Sequence, residues 1–193
     1  MLSSMATSPG RGLATALDMD DERQEVICGE LVRKASPSFQ HSSTQNAIEG
    51  ILFGFRGPGG PGRPGGWWLG TEAEIELDTH EVYLPDVAGW RIDRVPDPPL
   101  GRPVRIAPDW VCEILSPSTT GRDLGQKQRT YHRMHVGHYW IVDPIEQVLC
   151  AYQRQENGYL LALVASPGDV ARVEPFDAIE IVIAMLYDRP RGL

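Results

Sequence analysis

Apolar residues recur along this chain with two periods, and the predicted elements change where the period changes. Between Ala107 and Pro144, two short runs rich in strand formers, Trp110 to Leu115 and Tyr139 to Val142, flank a polar turn and about three turns of helical pattern. This predicts a strand, helix, strand unit. In the first run Asp109, Val111 and Glu113 alternate with Trp110, Cys112 and Ile114, so both acids fall on one strand face. Asp109 stands about 13 Å from Glu113 along such a strand, too far to share an ion, and reads as part of the turn after Pro108. In the helical stretch, with Asp123 as cap, Leu124, Lys127, Tyr131 and Met134 recur on one side. Lys127 therefore falls on the inward face, where an ammonium needs an anion.

Upstream, Gln24 to Ile27 and Glu30 to Val32 flank Cys28-Gly29 and predict a hairpin. Ala47, Ile48, Ile51, Leu52 and Phe55 recur at helical spacing over residues 41–55, with caps available from Ser42 to Thr44. The segment GPGGPGRPGG, residues 57–66, predicts a flexible loop inside the domain, because proline removes donors and glycine has no side chain to pack. Glu72, Glu74 and Glu76 alternate with Ala73, Ile75 and Leu77 as a half-exposed strand, and Glu81 to Ala88 reads as one further strand. A Pro- and Arg-rich loop follows over residues 91–105. Val148 to Gln153 and Tyr159 to Val164 form a second hairpin around Glu156-Asn157-Gly158, and Glu180 to Leu186 is a last apolar strand or short helix. Residues 1–12 predict a disordered tail rich in Ser, Gly and Pro, a short helical stretch spans Leu13 to Met19, and residues 13–193 form one domain.

Composition narrows the function. With a formal net charge of -8, the surface does not advertise nucleic-acid binding, so a polyanionic substrate would need a local basic patch or bound metal ions. Cys28, Cys112 and Cys150 form no CxxC pair, which argues against a zinc knuckle or disulfide framework and fits a reducing cytoplasm. No apolar run approaches the roughly 20 residues that span a bilayer, and no membrane association is expected. His132, His135 and His138 invite a zinc reading, but Gly137 ends the helix before the third.

Asp86 and Glu113 each lie where an apolar run gives way to loop, on two different predicted strands. Two carboxylates brought together this way bind a hard divalent cation such as Mg²⁺, with water completing the shell. The ion can polarise a phosphoryl oxygen while a nearby ammonium stabilises developing negative charge. The alternative is that both acids cap strand ends or pair with arginines. If they share an ion, their mutual repulsion should leave Asp86→Asn as stable as the parent or more so.

YLPDVA (Tyr83 to Ala88), PDWVCEILSPST (Pro108 to Thr119), the spaced Asp123, Lys127 and Tyr131, and VGHYWIVDP (Val136 to Pro144), preceded by GELV at Gly29 to Val32, resemble the Uma2 family, formerly DUF820. The resemblance runs in family order from about Glu22 to Phe176. It implies an α/β fold with a restriction-endonuclease-like core of the PD-(D/E)xK type: a central mixed β-sheet flanked by helices, with N-terminal and C-terminal β-hairpins. It implies a metal-dependent endonuclease acting on DNA with Mg²⁺ or Mn²⁺, held by Asp86 and Glu113. The usual motif places lysine two residues after the second acid, where this chain has Leu115; the resemblance carries the lysine to Lys127 on the following helix. Glu30 is a candidate third acid and Gln45 a candidate water-orienting residue. A homodimer is the expected partner state for cutting two strands, with Trp67, Trp68 or Ile181 to Leu186 as its interface. The alternative is a non-catalytic binding or assembly protein retaining the nuclease-like fold.

Overall fold

The structure is a computed structural model that describes residues 23–116, 121 and 123–187. The tail expected over residues 1–12 and the helix expected at Leu13 to Met19 lie outside the described residues. The first hairpin pairs β1 (Gln24–Ile27) with β2 (Glu30–Arg33). Its turn residues Cys28 and Gly29 both adopt positive φ, at 53° and 81°, which matches the right-handed strand twist of a two-residue hairpin.

Helix α1 (Phe39–Leu52) begins earlier than the caps at Ser42 to Thr44 anticipated, because Ser38 caps it: the Ser38 side chain accepts from the His41 N–H at 3.2 Å. The buried face carries His41, Thr44, Ile48 and Leu52. A 3-10 turn, Phe53–Phe55, ends it. The Gly/Pro loop then folds back on itself through Gly66 N–H to Gly57 C=O and Gly65 N–H to Gly54 C=O bonds. Gly65, at φ 63°, lies so close to Gly59 that a Cβ there would stand 2.1 Å from the Gly59 backbone.

Next come β3 (Trp67–Thr71), β4 (Ile75–Asp78), β5 (Glu81–Tyr83), β6 (Val87–Arg91), β7 (Trp110–Ile114) and β8 (His138–Asp143). Between β7 and β8 lie a π-helical segment, Asp123–Lys127, and α2 (Gln128–Arg133). The chain continues as β9 (Val148–Gln155), β10 (Gly158–Ala165), β11 (Val170–Ala171), β12 (Ile181–Val182) and a 3-10 turn, Ile183–Leu186, so the last apolar segment is both strand and helix. A six-stranded mixed sheet runs β10-β9-β8-β7-β6-β3, and a four-stranded sheet runs β2-β1-β5-β4. Only the β7/β8 pair of the large sheet is parallel, as a helical crossover requires.

One expected strand is in fact two. The stretch Glu81 to Ala88 is broken over Leu84–Asp86, and β5 belongs to the small sheet while β6 belongs to the large one. Pro85 has no N–H to continue a ladder, so the chain changes sheets there and leaves Asp86 at the crossing.

Alternation along β7 divides the core. Trp110, Cys112 and Ile114 join Trp140, Phe176 and the α1 residues Ile48 and Leu52 on one face, where the Trp110, Trp140 and Phe176 rings meet edge to face at 4.9–5.6 Å. Val111 joins Tyr83, Tyr131, Tyr139 and Ile141 on the other. Each such large side chain, fully buried, contributes about 1.5–3 kcal/mol by leaving water. Glu113 shares the second face, buried at 1% exposure. Of the expected dimer surface, Trp67, Ile181, Ile183 and Leu186 are buried within the chain, Trp68 is half-buried, and Val182 and Met185 are exposed.

Candidate active site

Asp86 is fixed first through its backbone. Its carbonyl accepts from Gln45 Nε2 at 2.8 Å and from the Glu72 N–H at 3.3 Å, which hold the sheet crossing in place. Its carboxylate is then claimed by three partners: Lys34 Nζ at 2.7 Å on Oδ1, and on Oδ2 the Ile114 N–H at 2.6 Å and His41 Nε2 at 3.2 Å. The Ile114 bond ties Asp86 directly to the end of β7. Burial pushes the Asp86 carboxyl up, but the Lys34 charge and the His41 hydrogen bond outweigh it and hold the group well below the usual carboxylate range.

Glu113 lies on the same strand end. It accepts from Lys127 Nζ at 3.2 Å and from the Tyr131 hydroxyl at 2.7 Å, both on Oε1. Lys127, 2% exposed, also donates to Glu25 Oε1 at 2.9 Å. Glu25 in turn accepts the Leu84 N–H at 2.9 Å, two residues before Asp86. The inward lysine of the helical pattern is thus inward in the structure, bridging two buried acids. Leu124, expected on the same face, is 46% exposed. The π-helical turn before α2 holds nearly one residue more than an α-turn, so Leu124 comes round to solvent while Lys127 and Tyr131 stay inside.

Asp86, Glu113, Lys127, Lys34, His41 and Arg23 line one cavity of about 310 Å³. Four carboxylates, Glu25, Glu72, Asp86 and Glu113, meet three cations, Arg23, Lys34 and Lys127. Leaving His41 aside, one negative charge is in excess. His41 places Nε2 on Asp86, and its Nδ1 is buried without a hydrogen-bond partner among the described residues, a position that a water or substrate atom would satisfy. Among the described residues no group of three or more His, Cys, Asp or Glu stands at metal-ligand spacing. Two carboxylates lining one cavity with an unbalanced negative charge still fit Mg²⁺ or Mn²⁺, which commonly take one or two protein carboxylates and leave the rest to water and substrate oxygen.

Two expected accessory residues have other places. Gln45 donates a side-chain N–H to the Asp86 carbonyl and so holds the backbone beside the site, and it does not line the cavity. Glu30 is exposed beside the hairpin turn, paired across from Ile27, and does not line the cavity. Glu25, at the start of the same hairpin, is the acid that reaches the site. Asp109 anchors a turn as expected, accepting from Arg94 Nε at 2.7 Å and from the Arg91 N–H at 2.8 Å.

Sequence reasoning missed Lys34, His41 and Glu25. The available signal was local: a buried-looking acid in the apolar run QEVI, and a lysine following the apolar residues of β2.

Comparison with known proteins adds the lineage. Residues 13–185 match the model of the Uma2 family, described as "Putative restriction endonuclease". Among solved structures the chain is similar to a putative nuclease belonging to DUF820 from Anabaena variabilis ATCC 29413, with a TM-score of 0.68 and 21% identity over 92% of this chain and 97% of that one. No curated protein matches. No helix among the described residues is long and apolar enough to cross a membrane.

Proposed function

The chain belongs to the Uma2 family, and from that premise we propose that it is a divalent-cation-dependent endonuclease hydrolysing phosphodiester bonds of DNA. Asp86 and Glu113 would hold Mg²⁺ or Mn²⁺, and Lys127 would act beside the attacking water. The observation that carries this reading is the convergence of two buried carboxylates, one from the crossing between β5 and β6 and one from β7, on one cavity that Lys127 also lines. When bound, the ion supplies Lewis acidity toward a phosphoryl oxygen and lowers the pKa of a coordinated water.

The chain's own residues do the rest. Asp86 and Glu113 offer hard oxygen ligands whose orientation is set by Ile114, His41 and Tyr131. Lys127, 3.2 Å from Glu113, stabilises negative charge developing on the phosphoryl group beside that ligand. A chain of net charge -8 needs local positive charge to hold a polyanion, and a bound divalent ion would supply it at this cavity. In-line attack on phosphorus then releases a 3′-oxygen. A two-fold dimer would present two such sites to the antiparallel strands of a duplex. The unpaired cysteines fit a reducing cytoplasm.

One observation favours a second reading, a binding or assembly protein that keeps the fold without catalysis: each carboxylate already has its own lysine partner. Cleavage of single-stranded, double-stranded and branched DNA with Mg²⁺ or Mn²⁺, against an Asp86→Asn/Glu113→Gln control, separates the two. Metal-dependent cleavage by the parent alone supports the nuclease; equal inactivity of both proteins supports the binding protein.

A further inference from the structure

We propose that Lys34 is the site's resident counter-cation: it neutralises Asp86 in the metal-free protein and transfers to Glu72 when a divalent ion takes that carboxylate, so lysine and metal compete for Asp86 while Glu72 favours the metal-bound arrangement. This rests on the metal-binding reading above and adds to it a device that couples occupancy of the site to the position of one side chain.

The two lysines of the cavity are held differently. Lys127 sits between two carboxylates that are both buried, and its contact to Glu25 (2.9 Å) is shorter than that to Glu113 (3.2 Å). It keeps a buried anionic partner whatever happens at Glu113. Lys34 has one buried carboxylate, Asp86, at 2.7 Å, together with the Leu84 carbonyl at 2.5 Å. Its other anion is Glu72, whose two oxygens stand equally at 3.4 Å from Nζ. That distance is too long for a strong bond and short enough for a small side-chain rotation to close. Glu72 is suited to receive the ammonium, because its side chain is partly solvated at 27% exposure and already pairs with Arg23.

The backbone of Glu72 points the same way. It adopts φ 50°, a conformation that non-glycine residues enter rarely and that tends to persist where surrounding structure requires it. What requires it here is close at hand: the Glu72 N–H donates to the Asp86 carbonyl while its side chain faces Lys34. One residue thus touches both the metal-ligand candidate and its counter-cation.

The test is calorimetric titration with Mn²⁺ of the parent, Lys34→Met, Glu72→Gln and the double variant, with melting curves to confirm folding. Lys34→Met should bind Mn²⁺ more tightly, on the order of five- to a hundredfold, the usual range for coupling between two bound species. Glu72→Gln should bind it more weakly, because the lysine loses its second berth. In the double variant the Glu72 effect should vanish, leaving the affinity of Lys34→Met. If Lys34→Met fails to fold, Lys34→Gln keeps a donor without the charge and carries the same expectation. Unchanged or weaker affinity on neutralising Lys34 overturns the proposal, as does a Glu72→Gln effect of equal size with and without Lys34. A parent protein that takes up no Mn²⁺ overturns the metal-binding reading itself, and this inference with it.

Discussion

Replacing Lys127 by methionine removes one charge while keeping most of the buried volume, and the structure sets the scale of the consequence. Lys127, Glu25 and Glu113 are each 1–2% exposed, so the substitution leaves two carboxylates without their shared cation in a site that water barely reaches. Glu113 retains the Tyr131 hydroxyl and Glu25 retains the Leu84 N–H, but neither supplies a full charge. Removing one partner of a buried ion pair typically costs about 3–5 kcal/mol, a large part of the roughly 5–15 kcal/mol that holds a domain folded. Adding Glu25→Gln should recover part of that loss, because glutamine still accepts from Leu84 and carries no charge. Urea denaturation followed by tryptophan fluorescence measures both. Single-turnover cleavage by the folded fraction of Lys127→Met should fall by a factor of about 10² or more, as when an electrostatic group is removed from a transition state. A stability loss below about 1 kcal/mol with the rate intact would refute the assignment of Lys127 to both roles, and equal stability of the single and double variants would refute the Glu25 part.

Asp86→Asn should abolish Mn²⁺ binding in calorimetry and lower stability by about 3–5 kcal/mol, because Lys34 loses its buried carboxylate. Tyr131→Phe should cost about 1.5–3 kcal/mol in chemical denaturation, the range for a hydrogen bond to a charged group, with the ring contacts to Tyr83 and Tyr139 unchanged. The Asp86 and Lys34 pair also sets a pH window. Asp86, depressed in the fold, contributes stability that is present above its ordinary value of about 4 and lost as pH falls through the folded value. Lys34, raised in the fold, contributes stability that is full below about 10.5 and lost as pH climbs through the folded value. Both contributions should therefore be present in the parent across neutral pH, and Lys34→Met should lack the alkaline loss above about 10.5; an alkaline loss of equal depth in both proteins would contradict the pairing.

What could be read from the chain before its structure depended on how local the causes were. The β7, α2, β8 unit was legible because its periodicities are carried by neighbouring residues, and the inward placement of Lys127 survived even though a π-helical turn moved Leu124 to the surface. Glu81 to Ala88 looked like one strand because its apolar character is continuous; the sheet change at Pro85 is set by which neighbours β5 and β6 find, β1 and β4 in one case and β3 and β7 in the other. β3 went unassigned because Trp67 to Thr71 has no clear alternation, and its pairing with β6 decides its form. Asp86 and Glu113 stood out as acids at the ends of apolar runs. The partners of Asp86 did not: Lys34 reaches it across 52 residues of sequence, and His41 meets it from a helix that Ser38 starts earlier than the sequence suggests. With Lys34 on Asp86 and Lys127 on Glu113, Asp86→Asn removes a buried ion pair instead of relieving repulsion between the two acids.

The most direct test of the central claim is single-turnover cleavage of end-labelled DNA with the product termini mapped, run with Mn²⁺, with Mg²⁺ and with chelator, for the parent and the Asp86→Asn/Glu113→Gln variant. A metal-dependent phosphodiesterase using these two carboxylates predicts 3′-hydroxyl and 5′-phosphate ends, formed by the parent only when an ion is present and by the double variant under no condition. Cleavage that persists in chelator, or that the double variant performs at the parent's rate, would contradict it.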